Sequence, residues 1–382
     1  MKSWTRCALG LGLLLGACSS SPTKEAPVIP MGEFFPYTLL YQSGRQGTFT
    51  PSTSPTTPYG GLDRESNALE AIRTNPTNLL YVDGGNLFAP EGATDIKKFA
   101  DQAPTIVEAL NVMSLDIFAP GPSDFALGKE TLQKLAKQAS FKFVATNVMD
   151  ENDRRIFPAF AIVQRGKLTF AILSVLPEGW YGKSIHATSV KSALNKWIWQ
   201  ASIRADFVIV MSQQADVEED RKILDKYPQV KLVLGNDPRR SLDSPEWVRG
   251  RLLLDGYRHG MFLGKFTFEY RPPFFGFYSE NELPRVQALR QEKERELASI
   301  DDTSQRSAMQ GVIAGIKQGH PEKRPSGGSR FVHELIPLDR TRFGKPNEVS
   351  TLLSPNSPQI MPEGPIDLPA GKEVSDEDEV GL

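Results

Sequence analysis

From Tyr37 to Tyr270 short apolar runs alternate with longer amphipathic stretches, and the two periods predict strands and helices in turn. YTLLY (37–41), NLLYVDGG (78–85), LDIFAPG (115–121), FKFVATNV (141–148), KLTFAILSVL (167–176), DFVIVMSQ (206–213) and KLVLGN (231–236) predict strands. LDRESNALEAIRT (62–74) predicts a helix, with Leu62, Ala68, Leu69 and Ile72 near helical spacing. Residues 93–113 predict a second helix, kinked at Pro104, and residues 189–203 a third. RLLLDGY (251–257) and MFLGKFTFEY (261–270) alternate and predict a hairpin closing the sheet. Strands that run into Gly, Asn, Ser or Asp before a helix mean an α/β fold, with a site beyond the carboxyl ends of the strands.

Past Arg271 the pattern changes. LPRVQALRQEKERELASI (283–300) predicts a heavily charged helix, and SAMQGVIAGIKQG (307–319) one with Met309, Val312, Ile313 and Ile316 on a single face. FVHELIPLD (331–339) predicts a strand returning to the domain, so residues 273–343 form a helical extension with a returning strand. Residues 344–382 carry six prolines and end near SDEDEV, the composition of a Pro-rich acidic disordered tail. No internal repeat is visible.

The first residues change the picture most. Lys2 and Arg6 precede an apolar stretch from Ala8 to Ala17, too short to span a bilayer and suited to a signal peptide. It ends in Leu15-Gly16-Ala17-Cys18, which resembles the lipobox of bacterial lipoproteins. That resemblance implies cleavage before Cys18, a diacylglycerol on its thiol and acylation of the new amine. Residues 1–17 are then a signal peptide. Several acyl chains, at about 0.8 kcal/mol per buried methylene, make such an anchor effectively permanent. Ser19 in place of Asp implies the outer membrane of a Gram-negative bacterium. Residues 18–36, rich in Ser and Pro, read as a tether that lifts the domain off the membrane.

Composition adds three exclusions. The two cysteines are Cys7, lost with the signal, and Cys18, so the domain is expected to have no disulfide and to rest on its apolar core. With 40% apolar residues there is enough chain for one large α/β domain. Losing Lys2 and Arg6 takes the net charge from −2 to −4, which points away from nucleic acid.

The order of the loops then carries a resemblance. GGLDRE (60–65), LLYVDGGNLF (79–88), IFAPGPSDFALG (117–128), VATNV (144–148), DFVIVMSQQAD (206–216), LVLGNDPRR (232–240) and GYRHGMFLGKFTFEY (256–270) follow one another as do the motifs of the calcineurin-like metallophosphoesterases. The bacterial 5′-nucleotidase and cyclic-nucleotide phosphodiesterase group is the nearest in pattern. The resemblance implies an α/β/β/α sandwich over residues 37–272. It also implies two metal ions at the strand ends, holding a hydroxide and clamping a phosphate. At the positions where that family keeps its ligands this chain has Gly44 and Gln46 in the first loop, then Asn86, Pro122 and Ser123. Gln213, Asp237 and Arg239 follow. Glycine and proline supply no ligand atom, and Asn86 lacks the charge that lets two dications approach. Arg239 puts a permanent cation where a metal would sit.

No replacement nucleophile is evident. Ser123 has no histidine in its loop and no Gly-x-Ser-x-Gly elbow occurs. His186, His259, His320 and His333 read as surface or packing residues away from the strand ends, and Asp83, Asp124 and Asp237 as helix caps. The resulting expectation is a membrane-anchored lipoprotein whose phosphoesterase-like domain is catalytically inactive, holds no metal or cofactor and acts by binding. Its partner would be an envelope protein, met by the arm at 283–317 or the tail, or a small anion held in the old pocket by Arg45, Arg239 and Arg240. The competing expectation is a divergent phosphoesterase in which Gln46, Asn86 and Asp237 make a weak oxygen site for a hard cation. The lipobox generates the first prediction. The native chain partitions into detergent and carries acyl mass on Cys18, whereas Cys18→Ala is unlipidated and leaves the membrane fraction. A Cys18→Ala chain that keeps both properties rules the anchor out.

Overall fold

Side chains along Phe35–Gln42 (β1) point alternately to two different cores: Tyr37, Leu39 and Tyr41 to one, Leu40 to the other. A strand buried on both faces needs a layer on each side, and the rest of the fold supplies them. The computed structural model describes residues 35–51, 59–73, 78–237, 239, 242, 244–256, 258–270, 272–279, 282–319 and 328–354. The signal peptide, the tether up to residue 34, Cys18, Arg240, His320 and residues 355–382 lie outside them.

After β1 come β2 (Leu79–Asp83), β3 (Ile117–Phe118), β4 (Lys142–Phe143) and β5 (Val148–Asp150). Then follow β6 (Phe160–Arg165), β7 (Leu168–Val175), β8 (Gly179–Trp180), β9 (Ile185–Ala187), β10 (Phe207–Ser212) and β11 (Val230–Gly235). The last are β12 (Glu246–Val248), β13 (Arg251–Asp255), β14 (Phe262–Tyr270), β15 (Phe277–Tyr278) and β16 (Ser329–Pro337). Helices α1 (Leu62–Ile72), α2 (Ile96–Val112) and α3 (Lys129–Gln138) cover one sheet, and α4 (Val190–Ser202) and α5 (Val217–Lys226) the other. The extension holds α6 (Glu282–Ala298) and α7 (Thr303–Gly319), which pack on each other. It is followed by α8 (Arg340–Phe343) and α9 (Glu348–Leu353).

The first sheet runs β15-β16-β14-β1-β2-β3-β4 and the second β12-β13-β11-β10-β7-β6, with a small β5-β9-β8 sheet beside them. This is the α/β/β/α sandwich the resemblance implies. The core between the sheets is aromatic: Tyr37, Phe170, Phe207, Phe266, Phe268 and Phe277 interlock there. Each such buried ring contributes about 1.5–3 kcal/mol. Gly264 on β14 lies opposite Tyr41 on β1, and a Cβ there would collide with the tyrosine ring. That close approach is why a glycine interrupts an apolar strand. Within the described residues no helix is long and apolar enough to cross a membrane.

Two expectations are corrected. The runs at 251–257 and 261–270 form no hairpin, because β13 pairs with β11 and β12 in one sheet while β14 pairs with β1 and β16 in the other. Alternate residues of both runs, Leu252 and Leu254 on one and Phe266 and Phe268 on the other, meet in the same core between the sheets, reached from opposite sides. The disordered tail also does not begin at Gly344. Asn347 caps α9 with a reciprocal capping box to Ser350 and donates from its side chain to the Asp63 carbonyl at 2.7 Å. Val349 and Leu353 then close the core under α1 and α2. Pro346 marks the turn before this helix rather than the end of structure. Pro104 sits inside α2 without ending it. Ile313 of α7 is buried while Val312 is half exposed, so the predicted face is split.

If α9 belongs to the fold, Leu353→Ala leaves a cavity and lowers unfolding stability by about 2 kcal/mol or more. Denaturant titration reads this. A midpoint equal to wild type would return residues 344–354 to the tail.

Candidate functional site

The carboxyl ends of β1, β2, β10 and β11 converge, because these strands run parallel within their sheets. The loop after β1 is stitched to the loop after β2 by backbone bonds: Gly44 N–H to Gly85 O at 2.8 Å, Gln46 N–H to Asn86 O at 2.7 Å and Gly47 N–H to Leu87 O at 2.9 Å. Gln46 (φ 51°) and Asn86 (φ 52°) both hold left-handed backbones, which cost a side-chain-bearing residue about 1–2 kcal/mol. Gly85 is left-handed too, and a Cβ on it would collide with the Ala119 carbonyl.

At the centre the Asn86 amide donates to Gln213 Oε1 at 2.8 Å, and Asn86 Oδ1 accepts the Ser123 N–H at 3.1 Å. The Gln213 amide donates in turn to the Gly84 carbonyl. Asn236, a neighbour that no sequence signal singles out, lays its side chain against Gly84, and its amide donates to Leu234 O at 2.8 Å. Asn86, Gln213 and Asn236 are all at most 2% exposed. Asn86 belongs to the first sheet's loops and Gln213 and Asn236 to the second's, so the amides cross-link the two halves of the sandwich. Asp237 is clasped by Arg239, whose Nε and Nη2 donate to its two oxygens at 2.9 and 2.6 Å. Pro122 is half-buried at the edge of this network and Gln46 likewise.

The ligand positions named from the resemblance are thus largely brought together, and the residues present do not fit a pair of metal ions. Asn86 and Asp237 already spend their oxygens on N–H donors of the chain. Gly44 and Pro122 have none to offer, and the described residues contain no grouping of three His, Cys, Asp or Glu side chains that could hold an ion. Of the three residues named for a weak oxygen site (Gln46, Asn86 and Asp237), Asn86 and Asp237 already accept N–H donors of the chain. Ser123 Oγ is buried and has no hydrogen-bond partner among the described residues.

Arg45 is not where an anion-binding role would need it. It is fully buried, paired with Glu65 and 3.5 Å from Asp83. Tyr81 donates to the other Glu65 oxygen at 2.5 Å. Burial alone would lower the guanidinium pKa, but the two carboxylates more than restore it. Removing one member of such a buried group typically costs about 3–5 kcal/mol. Arg239 keeps an exposed side chain, yet its fork is closed on Asp237. Only Arg240, outside the described residues, is left of the three.

The aspartates cap no helix at this site, contrary to expectation. Asp124 accepts the N–H groups of Leu87, Phe88 and Gly121 at 2.8–2.9 Å, fixing the loop after β2 to the one after β3. Burial raises its pKa to about 6 despite those bonds. Asp83 accepts the Gly85 N–H at 2.8 Å, and burial raises it to about 7 although Arg45 pulls the other way. Of the histidines, His333 on β16 bonds Tyr41 at 2.8 Å and is held down to about pKa 4 by burial. His186 stacks on Trp180. His259 lies closer to the site than expected, its N–H donating to the Gly44 carbonyl at 2.8 Å.

These carboxylates set a pH dependence. The folded protein keeps a proton on Asp83 up to about pH 7, while the unfolded chain releases it near the ordinary value of 3.8. Between those limits the folded state binds the extra proton, so stability falls as pH rises through the window. Denaturation at pH 5 and pH 7.5 is expected to show that loss in wild type. In Asp83→Asn it is smaller by ~1 kcal/mol or more; in what remains Asp124 lowers stability as pH rises while His333, held neutral in the fold, works the other way. Equal slopes in the two proteins would place the titration elsewhere.

No family model matches the chain, and no curated protein matches it in sequence. Solved structures do match in fold. The 5′-nucleotidase precursor from Thermus thermophilus superposes with a TM-score of 0.52 at 20% identity, over 61% of this chain and 51% of its own. The NAD nucleotidase of Haemophilus influenzae gives 0.53 at 14%, over 64% and 48%. The calcineurin-like phosphoesterase YfkN from Bacillus subtilis gives 0.52 at 15%, over 64% and 88%. The chain spans about half the length of the two nucleotidases, and what it shares with all three is the phosphoesterase fold.

Proposed function

We propose that this chain is a lipid-anchored protein of the cell envelope whose phosphoesterase-fold domain acts by binding rather than by hydrolysis. The observation that supports it best is the amide bridge from Asn86 to Gln213 across the strand ends. Hydrolysis of a phosphate ester at neutral pH needs an activated water, and bound metal is what lowers that water's pKa from 15.7 to about 7. Here the metal positions are occupied by side chains bonded to one another. The Ser123 hydroxyl beside Asn86 has no hydrogen-bond partner among the described residues that would take its proton. A domain that keeps its scaffold while its reaction centre is cross-linked shut retains its outer surface as its means of acting.

That surface includes the rim of the old site. Tyr181 packs near Phe125, with ring centroids 6.0 Å apart, and its neighbour Trp180 stands 63% exposed. An exposed tryptophan at the mouth of a closed pocket suits contact with an envelope protein better than capture of a small anion, since Arg45 is withdrawn into the core.

The mature full-length chain, purified in detergent, is expected to carry no stoichiometric transition metal and to leave nucleotide monoesters and phosphodiesters intact. Asn86→Ala should behave as wild type does in both assays. Two equivalents of metal, with turnover lost in Asn86→Ala, would overturn the reading in favour of a rebuilt active centre.

A further inference from the structure

The end of the sandwich opposite the old site has a character of its own. The amino ends of β1, β2, β7, β10 and β11 lie there, together with the last turn of α4 and the loop between β14 and β15. Of the six large apolar side chains that stand exposed among the described residues, three belong to this end: Trp199 (63% exposed), Ile203 (59%) and Phe275 (60%). Trp199 and Ile203 are one helical turn apart, so they share a face of α4. Phe275 follows Phe274, which stacks on Tyr270 at 6.3 Å, and Tyr270 in turn bonds the Asp206 carbonyl at 3.3 Å, just past the end of α4.

Exposed cations surround these three. Lys167 sits at the tip of the β6–β7 turn, Arg204 just past α4, and Lys226 and Arg249 beside the starts of β11 and β13. Asp206 and Asp225 are the acidic neighbours on the second sheet's side, and Asp116 and Glu269 at the same end of the first sheet are paired with Arg165 and Arg330. Asp206 accepts the Thr169 N–H at 2.9 Å and Asp225 pairs with Arg249. A chain of net charge −2 thus gathers a basic, aromatic surface at one end.

The tether is rooted at that same end. Phe35 pairs with Tyr270, and Tyr37 lies against Gly166 of the β6–β7 turn. Residues 19–34 between Cys18 and β1 reach no more than roughly 55 Å when fully extended, and a flexible chain of that length averages about 20–25 Å end to end. An anchor on Cys18 therefore holds this end, on average, nearer the bilayer than the old site. Tryptophan, phenylalanine and isoleucine among lysines and arginines are the composition that settles at a phospholipid headgroup layer.

Resting on the reading that Cys18 is lipidated, we propose that this end of the domain docks on the anionic phospholipid surface to which the chain is anchored. The apolar side chains enter the headgroup layer and the cations meet the phosphates. The acyl chains already hold the protein in place, so docking adds orientation. It turns the strand carboxyl ends, with Trp180 and the Asp237–Arg239 loop, away from the membrane. The Ser/Pro-rich segment then acts as a short leash rather than a spacer.

The test uses residues 18–382 carrying Cys18→Ser, so that no lipid is attached, in vesicle flotation. The chain is expected to float with phosphatidylethanolamine–phosphatidylglycerol vesicles at low salt. It should stay behind with phosphatidylcholine alone, and be released at high salt, where surface attraction is screened. Trp199→Ser with Phe275→Ser should cut the bound fraction at least tenfold, as should Lys167→Glu with Arg204→Glu. Trp180→Ser, at the far end, should change nothing. Absence of flotation at low salt overturns the proposal, as does equal loss in Trp180→Ser. So does a dimer in solution that Trp199→Ser dissociates without any vesicle binding, since the face is then a contact between two copies. Mass spectrometry of the native chain checks Cys18 independently, so a failed anchor and a failed docking face give different results.

Discussion

The arrangement of the strand ends depends on one buried cation. Arg45 projects from the loop after β1 into the body of the fold, where Glu65 of α1 and Asp83 of β2 neutralise it and Tyr81 completes the group. A charged side chain with no solvent contact persists only when its partners are held as rigidly as it is. Here they come from a helix and a neighbouring strand, so the ion group fixes the first loop to the sheet and the sheet to α1. Gly260 lies directly over the guanidinium, where a Cβ would approach Nη1 to 2.5 Å, and so the turn before β14 is positioned by the same group. Burial raises the Asp83 pKa to about 7 against the pull of Arg45, and the nearby Glu65 carboxylate adds a smaller push the same way.

Above that group the loops of the two sheets must still be joined, since the core between the sheets is mostly apolar rings, with side-chain bonds such as Trp247 Nε1 to the Phe277 carbonyl at 3.3 Å at its margin. Asn86, Gln213 and Asn236 supply the joint. An amide carries both donor and acceptor, so a few of them satisfy one another and the surrounding carbonyls without leaving net charge in a dry place. Asp124 does the same with three backbone N–H groups in one loop pair. The left-handed backbones at Gln46 and Asn86 show that the loops accept strain to meet in this way.

The framework was legible because it is periodic and ordered. β1, β2, β7, β10 and β11 announce themselves as apolar runs ending in small polar residues, and the loop order carried the layered architecture. β6 and β12 were missed because β6 mixes Gln164 and Arg165 into its run and β12 has only three residues. The absence of ligands at Gly44, Pro122 and Arg239 could be read directly, as a matter of which atoms the side chains possess. The direction of a side chain could not. Arg45 between two glycine-flanked loop residues reads as a charge facing the pocket, and only the placement of Glu65 on the inner face of α1 shows that it points the other way. Glu65 sits in a helical stretch among polar residues, where a buried acid has no signature. α9 is hidden likewise, because three apolar residues in a Pro-rich stretch are too few to set a period.

Charge accounting links the lost chemistry to the stability of what remains. Two dications at the strand ends would need several carboxylates or imidazoles facing one another, and such a set repels itself once the ions leave. In this chain each remaining acid near the centre has its own partner. Glu65 and Asp83 share Arg45, Asp237 holds Arg239, and Asp124 is bound by backbone N–H groups. Four carboxylates thus face two arginines, and the excess is met by backbone N–H groups and by the proton that burial favours on Asp83 and Asp124 rather than by a metal ion. Returning a single ligand, such as an aspartate at position 86, would therefore place a buried carboxylate beside Asp83 and Asp124 with no cation to meet it. The strand ends hold together as they stand because these side chains satisfy one another, so that changing one of them leaves its partners unmatched.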